Sequence, residues 1–411
     1  MTAPMSSQGA NQGRTQVGII GAGPAGLMLA HLLQRAGIDC VLLESRSRFH
    51  VENRLRAAVL EHDLATLLRQ VGLGERMDRV GIPQEGIRLH AAPDHAWRID
   101  LAAHTGRTAM LWGQYELVRD LIAARLDAGA PLLFNVDAVR LDDLDTHRPR
   151  INYRHDGEVF TLDCDFIAGC DGFNGICRAA LPSERLAMHQ HAWPFSWFGI
   201  LTEADPAWPE LVYGGHPDGF ALASMRPPGL TRFFFQCDPD EDVHSWSTDR
   251  IWQTLHRRLD AGGTSLGEGH IIQRSIIPLR SAVTETMQHG RLYLLGDAAH
   301  LLPPTGAKGL NVAVHDAVHF ATAVRAWYAQ ADFGPMARFS EERIEAIWNA
   351  QRFCASMTRL LHRMPGEDSF GYRLRLAEIA YLAENRFAAR SFAESYVGSA
   401  NEEMLEAYLR P

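Results

Sequence analysis

The stretch TQVGIIGAGPAGLMLAHLLQRAGIDCVLLE, residues 15–44, decides the fold. Thr15–Ile20 reads as a short buried strand. Pro24–Ala36 has helical periodicity and stops at Gly37, and Asp39–Glu44 reads as a second strand. Together they make one strand–helix–strand unit. Between the first strand and the helix lies Gly21-x-Gly23-x-x-Gly26, with Ala25 inside the turn. The first glycine permits a tight turn, the second lets backbone approach a pyrophosphate, and the third lets helix and strand pack closely. The helix N-terminus then offers N–H groups and partial positive charge to phosphates. Glu44 ends the second strand, where a carboxylate can accept hydrogen bonds from a ribose. The turn predicts a dinucleotide, and it does not by itself separate FAD from NAD.

The rest of the chain narrows the class. A length of 411 residues suggests roughly two or three domains. Apolar residues make up 46% and charged residues 22%, which excludes a disordered or fibrous chain. Forty basic against forty-nine acidic residues give a net charge of -9, so nothing points to a nucleic-acid partner. Six scattered cysteines without Cys-x-x-Cys read as reduced thiols in a cytoplasmic protein. The nineteen histidines show no metal-ligand spacing, so no metal is expected. Residues 1–14 read as a disordered tail, with no signal peptide and no membrane span.

Helical periodicity recurs at 54–72 and 114–128. An Asp156-Gly157 turn marks a hairpin within 150–168. From about 195 to 280, short aromatic runs separated by Gly and Pro predict a mostly antiparallel sheet. After Asn311 the pattern is helical. A second strand–turn–helix, RLYLLGDAAHLLPPTGAKGLN at 291–311, places Asp297 at a strand's carboxyl end, where it can accept from sugar hydroxyls. The helix beginning near Gly309, Leu310 and Asn311 can stabilise negative charge on a bound ring.

FALASMR, ending at Arg226, and TRFFFQC, residues 231–237, flank Pro227-Pro228-Gly229, a hairpin signal. With Arg226 opposite Arg232 and Ser224 opposite Phe234, all four share one face. A guanidinium, a hydroxyl and an aromatic ring together could seat an aryl carboxylate, which the planar fork of arginine matches. From these residues alone, an exposed arginine beside a proline turn is the simpler reading.

GAGPAG at 21–26, CDG at 170–172 and GDAAH at 296–300 together resemble the three fingerprints of the class A flavoprotein aromatic hydroxylases. Within that family the chain is most similar to the 4-hydroxybenzoate 3-monooxygenase branch, through RLRAAVLE at 54–61, DFIAGCDGFNGICR at 165–178, PLRS at 278–281, MQHGRL at 287–292, PPTGAKGLN at 303–311 and ESYVG at 394–398. The resemblance spans residues 14–400. It implies an α/β fold: a Rossmann-like FAD-binding domain with an inserted, mostly antiparallel substrate sheet and a helical C-terminal region. The FAD-binding domain would take 15–85, 110–190 and 281–315, the substrate sheet 86–109 and 191–280, and the helical interface region 316–411.

The resemblance also implies FAD as resident cofactor, NADPH or NADH as co-substrate, a small aromatic acid and O2 as substrates, and a homodimer. Glu44 would hold the ribose. Arg54 and Arg56 would lie near the pyrophosphate and the pyridine-nucleotide path. Gln114, Asp297, Leu310 and Asn311 would position ribityl chain and isoalloxazine. Asp171 of the CDG segment, with Arg178 and Arg280, would serve flavin and NAD(P)H docking. Ser224, Met225 and Arg226 would seat the substrate carboxylate, Tyr213 would take the phenol proton and Tyr396 would relay it. Pro304 would offer its carbonyl near the ring, and Lys308 would add positive potential. Arg46 and Arg48, just after the ribose acid, lean the choice toward NADPH.

Two positions depart from the family pattern. Phe234 stands where a second tyrosine would contact the carboxylate, and Gln84 stands where a histidine would end the proton relay. Glutamine carries no titratable proton near neutral pH. Both departures raise the alternative of a ring-substituted 4-hydroxybenzoate, such as an amino derivative, in a biosynthetic pathway. An NAD-dependent dehydrogenase and a flavin-binding sensor are the readings from other classes. Bound yellow flavin excludes the first, and oxygen uptake excludes the second.

Overall fold

A computed structural model describes residues 12–54, 59–92, 95–226, 229–260 and 266–398. Its first layer is a six-stranded sheet in the spatial order 288–289, 292–294, 166–169, 17–20, 40–43, 132–133. All neighbours are parallel except the edge pair 288–289 and 292–294. Val17–Ile20 lies at its centre and is buried along its length, as a parallel strand covered on both faces requires. Helices Pro24–Arg35 and Gly309–Gln330 pack on one another and on this sheet. The same buried cluster takes in Gln114–Asp127 through Leu117, Val118, Leu121 and Ile122.

The segment 150–168 forms the expected hairpin, Arg150–His155 with Glu158–Asp163, turning at Asp156 and Gly157. Gln12–Arg14 is not tail. It forms a strand parallel to Glu158–Asp163, pairing Gln12 with Thr161 and Arg14 with Asp163. Arg14 also pairs with Asp165 at 2.8 Å. A polar, glycine-containing segment of three residues carries no hydrophobic period, so only its partner strand reveals it. Residues 1–11 lie outside the described part.

The second layer is an eight-stranded sheet in the order 300–301, 270–284, 188–203, 230–237, 219–226, 211–216, 86–92, 95–100. It is antiparallel except where Leu211–His216 runs parallel to Gly86–Ala92. One face is covered by helix Thr248–Leu259 over Phe198, Val212, Ala223, Phe233 and Phe235. The other face carries Trp197, Tyr213, Phe220 and Leu222. It packs against the C-terminal helices Phe339–Leu361, Ser369–Glu384 and Arg386–Val397. Strand alternation thus sorts one set of side chains into plain core and the other toward the interior between layers. Within 54–72 the helix covers only His62–Gln70, preceded by strand Val59–Leu60. The six cysteines are buried and unbridged. No helix among the described residues is long and apolar enough to cross a membrane.

Candidate active site

The glycine turn is built as its spacing requires. Gly21 has φ +105°, open to glycine but strained for other residues. A Cβ on Gly26 would stand 2.0 Å from the Gly21 carbonyl oxygen, so only glycine lets helix and strand approach. A Cβ on Gly23 would meet nothing within 4 Å. That open side faces the N-terminus of Pro24–Arg35, whose first turn no side chain caps. Ala25 is buried behind it. Glu44 sits beside the turn, its Oε2 accepting from Ala22 N and its Oε1 from Arg46 N, each at 2.7 Å. A carboxylate has about four lone-pair directions, so Glu44 braces the turn and keeps acceptor capacity for a ribose.

The second cofactor segment brings Gly296 (φ +60°) and half-buried Asp297 to the carboxyl end of Leu292–Leu294. Space around Gly309 is open to 4 Å, and Leu310 is buried below it. Asn311 differs from expectation in one respect. Its side chain accepts from Glu61 N (2.9 Å) and donates to Val59 O (3.1 Å) and Ala307 O (2.9 Å). That side chain ties three backbone groups, on the segment 59–61 and the turn before its own helix, together, which leaves the helix N-terminal backbone for the ring. Gln114, partly buried, opens the helix Gln114–Asp127. Arg54 is exposed past the short helix Arg48–Glu52, and Arg56 lies outside the described residues.

Asp171 accepts from Cys177 N at 2.9 Å through Oδ2, capping Ile176–Ala179, while its Oδ1 is buried with no hydrogen-bond partner. Burial raises its pKa. Arg178 lies over the Phe173 ring and donates to the Phe173 carbonyl and to Ala298 O. Open space over Gly23 and Gly309, a cradle that a Cβ would fill at Gly26, and an orphaned carboxylate oxygen at Asp171 fit FAD.

The candidate substrate face lies on the eight-stranded sheet. Arg226 pairs opposite Leu230, Ser224 opposite Arg232, and Leu222 opposite Phe234. The register is two residues away from the expected one. A two-residue slip keeps every side chain on its face, so Ser224, Arg226, Arg232 and Phe234 still share one. Tyr213, opposite Leu222, joins them. Arg226 donates to Ser224 Oγ and to the Met225 carbonyl, each at 2.6 Å. Met225 therefore enters through its backbone, while its side chain is buried. Burial, then neighbouring Arg232, push the Arg226 guanidinium down to about 10. Arg232 donates to Gln273 and Ser275 and lies over the Phe234 ring. The ion pairs among described residues give neither arginine a carboxylate partner, so this face favours an anion. Phe234 packs on Trp197, with centroids 5.0 Å apart, and supplies no donor.

Tyr213 and Tyr396 are fully buried and meet hydroxyl to hydroxyl at 2.9 Å. Burial raises Tyr213 to about 12 and holds Tyr396 well above its ordinary value. Gln84 is buried, but it accepts from Leu211 N (3.0 Å) and donates to its own strand at Pro83 O. It anchors the strand that carries Tyr213 and does not extend the relay. Pro304 is exposed at the start of the turn Pro304–Gly306. Lys308 Nζ donates to Glu61 Oε1 at 2.5 Å and to Tyr396 O at 3.3 Å.

Residues 14–354 match the FAD binding domain family. The chain belongs to that family. This FAD-dependent aromatic hydroxylase is 39% identical to the p-hydroxybenzoate hydroxylase of Acinetobacter baylyi, over 94% of its own length and 95% of the other's. It is 25% identical to a 3-(3-hydroxy-phenyl)propionate/3-hydroxycinnamic acid hydroxylase of Comamonas testosteroni, across 78% of this chain and 54% of that one. In fold it is similar to p-nitrophenol 4-monooxygenase from Pseudomonas putida: TM-score 0.82, 19% identity, covering 95% of this chain and 100% of that one. An aklavinone-11 hydroxylase crystallised with FAD and aklavinone matches with TM-score 0.73, 22% identity, 89% and 73% coverage.

Spacing in the sequence shows neither the Lys308–Glu61 pair nor the neighbouring Asp63–His315 pair. Each joins the segment around residue 61 to the helix at 309–330, and no local period connects them. The only signal available was the placement of ionisable residues in otherwise buried turns.

Proposed function

We propose that this hydroxylase acts on 4-hydroxybenzoate, placing a hydroxyl ortho to the phenol to give 3,4-dihydroxybenzoate, with NADPH or NADH as reductant. The observation that carries the reading is the pairing, on one sheet face, of an anion seat at Ser224–Arg226 with a phenol-facing tyrosine pair at Tyr213–Tyr396. FAD, when bound, would supply the redox chemistry that links a nicotinamide reductant to transfer of one atom of O2 to the ring. The protein's residues bind, orient and move a proton.

Arg226 takes the carboxylate bidentately while Ser224 donates to it, which fixes the long axis of the ring. The phenol then points toward Tyr213. Tyr213 accepts the phenol proton as its own hydroxyl proton passes to Tyr396, and Tyr396 in turn releases a proton to water. A phenolate is a far better electron donor at its ortho carbon than a phenol. Lys308 supports that negative charge, and the Pro304 carbonyl orients the phenol. The buried sheet face excludes water, which protects the oxygen-transfer step from wasteful peroxide release. Gly21, Gly23, Ala25, Gly26, Glu44, Gln114, Asp171, Asp297, Gly309, Leu310 and Asn311 hold the cofactor in this reading.

Exposed Phe370, Leu374, Tyr381 and Phe387 on the C-terminal helices support a homodimer. One observation favours a second reading. Phe234 offers no hydroxyl to the carboxylate and leaves Arg232 beside the seat, which suits a ring-substituted 4-hydroxybenzoate. Turnover across a small panel of substituted 4-hydroxybenzoates, with products identified by mass spectrometry, decides between the two.

A further inference from the structure

Lys308 heads a buried cluster of four ionisable side chains. Its ammonium is bound to Glu61 at 2.5 Å. The Asp63 carboxylate lies 3.1 Å from His315 Nε2. One ligand-type atom from each of Glu61, Asp63 and His315 falls within 4.8 Å of the others, so the two pairs form one unit. All four side chains are more than nine-tenths buried. Two helix N-termini build it. Glu61 precedes His62–Gln70 and Asp63 sits in its first turn, while Lys308 precedes Gly309–Gln330 and His315 lies further along the same helix. Each helix end therefore contributes one residue to each pair.

The charges can be summed. Lys308 contributes one positive charge, Glu61 and Asp63 one negative charge each. An unbalanced buried charge is costly. A proton on His315 brings the sum to zero. Burial opposes that proton, but the Asp63 carboxylate 3.1 Å away, and then Glu61, raise His315 above its ordinary value, against Arg343. Burial likewise opposes ionisation of Asp63, yet His315 and then Lys308 hold its carboxyl below the usual range. The charged groups facing His315 are Asp63 and Glu61 from the first segment, Lys308 from the second, and Arg343 from Phe339–Leu361. Asp316, beside it in sequence, is bound to His300, Arg343 and Gly296 N.

We propose that Asp63 and His315 are positioning residues for phenol activation: together they set the net charge of the cluster behind Lys308, and so the potential Lys308 exerts at the Tyr213–Tyr396 pair. This rests on the phenol hydroxylation proposed above. With His315 protonated the cluster is neutral and does not oppose a phenolate. When His315 loses its proton the cluster becomes negative and opposes one. The same three donors, Glu61, Asp63 and His315, could hold a cation, but the Lys308 ammonium already occupies Glu61.

The test is a pH titration of bound 4-hydroxybenzoate in the holoenzyme, read as the phenol-to-phenolate ultraviolet difference spectrum. His315→Gln fixes the cluster at one negative charge and is expected to raise the bound phenol's pKa by about one unit, the order of effect of one charge in a protein interior. Adding Asp63→Asn to that variant restores neutrality and is expected to return the pKa to within a few tenths of native. A pair that only props the fold leaves the double variant as impaired as the single one or worse, and that result overturns the proposal. So does a stoichiometric metal ion in the purified holoenzyme. Failure of the native holoenzyme to bind 4-hydroxybenzoate counts against the substrate reading. The pair is then judged from histidine nuclear magnetic resonance of the ligand-free holoenzyme, which also serves if His315→Gln does not fold. A His315 imidazole protonated at pH 7, and deprotonated there in Asp63→Asn, supports the proposal. A neutral imidazole in the native protein overturns it.

Discussion

Tyr213 and Tyr396 lie 183 residues apart in sequence and meet at 2.9 Å, hydroxyl to hydroxyl, with no exposure to solvent. Two phenols so buried are raised well above their ordinary range by loss of water. Neither is an anion at neutral pH, so in the proposed reaction the pair would pass a proton along and hold no charge of its own. Tyr213→Phe removes the acceptor and keeps the shape. Binding of 4-hydroxybenzoate is expected to persist, while the turnover rate falls ~100-fold or more, the usual range for loss of general acid–base assistance. Stopped-flow reduction of the flavin with saturating ligand measures it.

Arg226 and Arg232 share the proposed anion seat, and each loses water there. Two cations held close without a carboxylate destabilise the empty site. Arg226→Met is expected to weaken binding of an aryl carboxylate roughly 10- to 100-fold, the equivalent of one charge-assisted hydrogen bond. The same variant should melt at a higher temperature without ligand, and lose the stabilisation that ligand gives the native protein. Calorimetry with and without 4-hydroxybenzoate reads both effects.

Gly26→Ala would place its Cβ 2.0 Å from the Gly21 carbonyl, a clash between backbone and backbone-attached carbon that no side-chain rotation relieves. The helix must shift away from the strand, and the phosphate turn opens with it. The variant is expected to purify without yellow colour and with a lowered melting temperature. Gly23→Ala meets no protein atom within 4 Å, so it should fold normally and lose affinity for FAD alone. Flavin content and circular dichroism separate the two.

How much of this was legible beforehand follows from the range of the interactions. The turn at Gly21–Gly26 and Glu44 is a local pattern, and the fold places those residues together. The anion face was legible as alternation, so Ser224, Arg226, Arg232 and Phe234 share a face although the register differs by two residues. The tyrosine pair was legible only through family resemblance, because nothing in either neighbourhood encodes a partner 183 residues away. Asn311 stands at an expected flavin-positioning site and Gln84 where the family's relay histidine would be, and both side chains are engaged with backbone. A buried amide needs several partners, and nearby N–H and C=O groups provide them first. The strand at Gln12–Arg14 was missed for lack of any apolar period.

His362 gives a prediction about acid stability. It is stacked on Phe195 and Phe220, accepts from Trp197 Nε1 at 2.7 Å and donates from Nδ1 to Thr358 O at 2.9 Å. Burial pushes its pKa down to about 3, so it stays neutral in the fold while the unfolded chain takes up a proton near pH 6.5. The fold therefore loses stability as pH falls from about 6.5 toward 3, by about 2 kcal/mol at pH 5 from this group. His362→Gln keeps one donor and one acceptor. It is expected to flatten urea-unfolding stability between pH 6.5 and 5, at some cost at pH 7.

The central claim is that the Arg226–Ser224 seat and the Tyr213–Tyr396 pair orient 4-hydroxybenzoate for hydroxylation. Aerobic turnover of the yellow holoenzyme with NADPH and 4-hydroxybenzoate tests it most directly, with product identified by mass spectrometry and hydrogen peroxide assayed in parallel. The account predicts one 3,4-dihydroxybenzoate per NADPH consumed and little peroxide. NADPH oxidation that yields peroxide in place of the dihydroxy acid would contradict it.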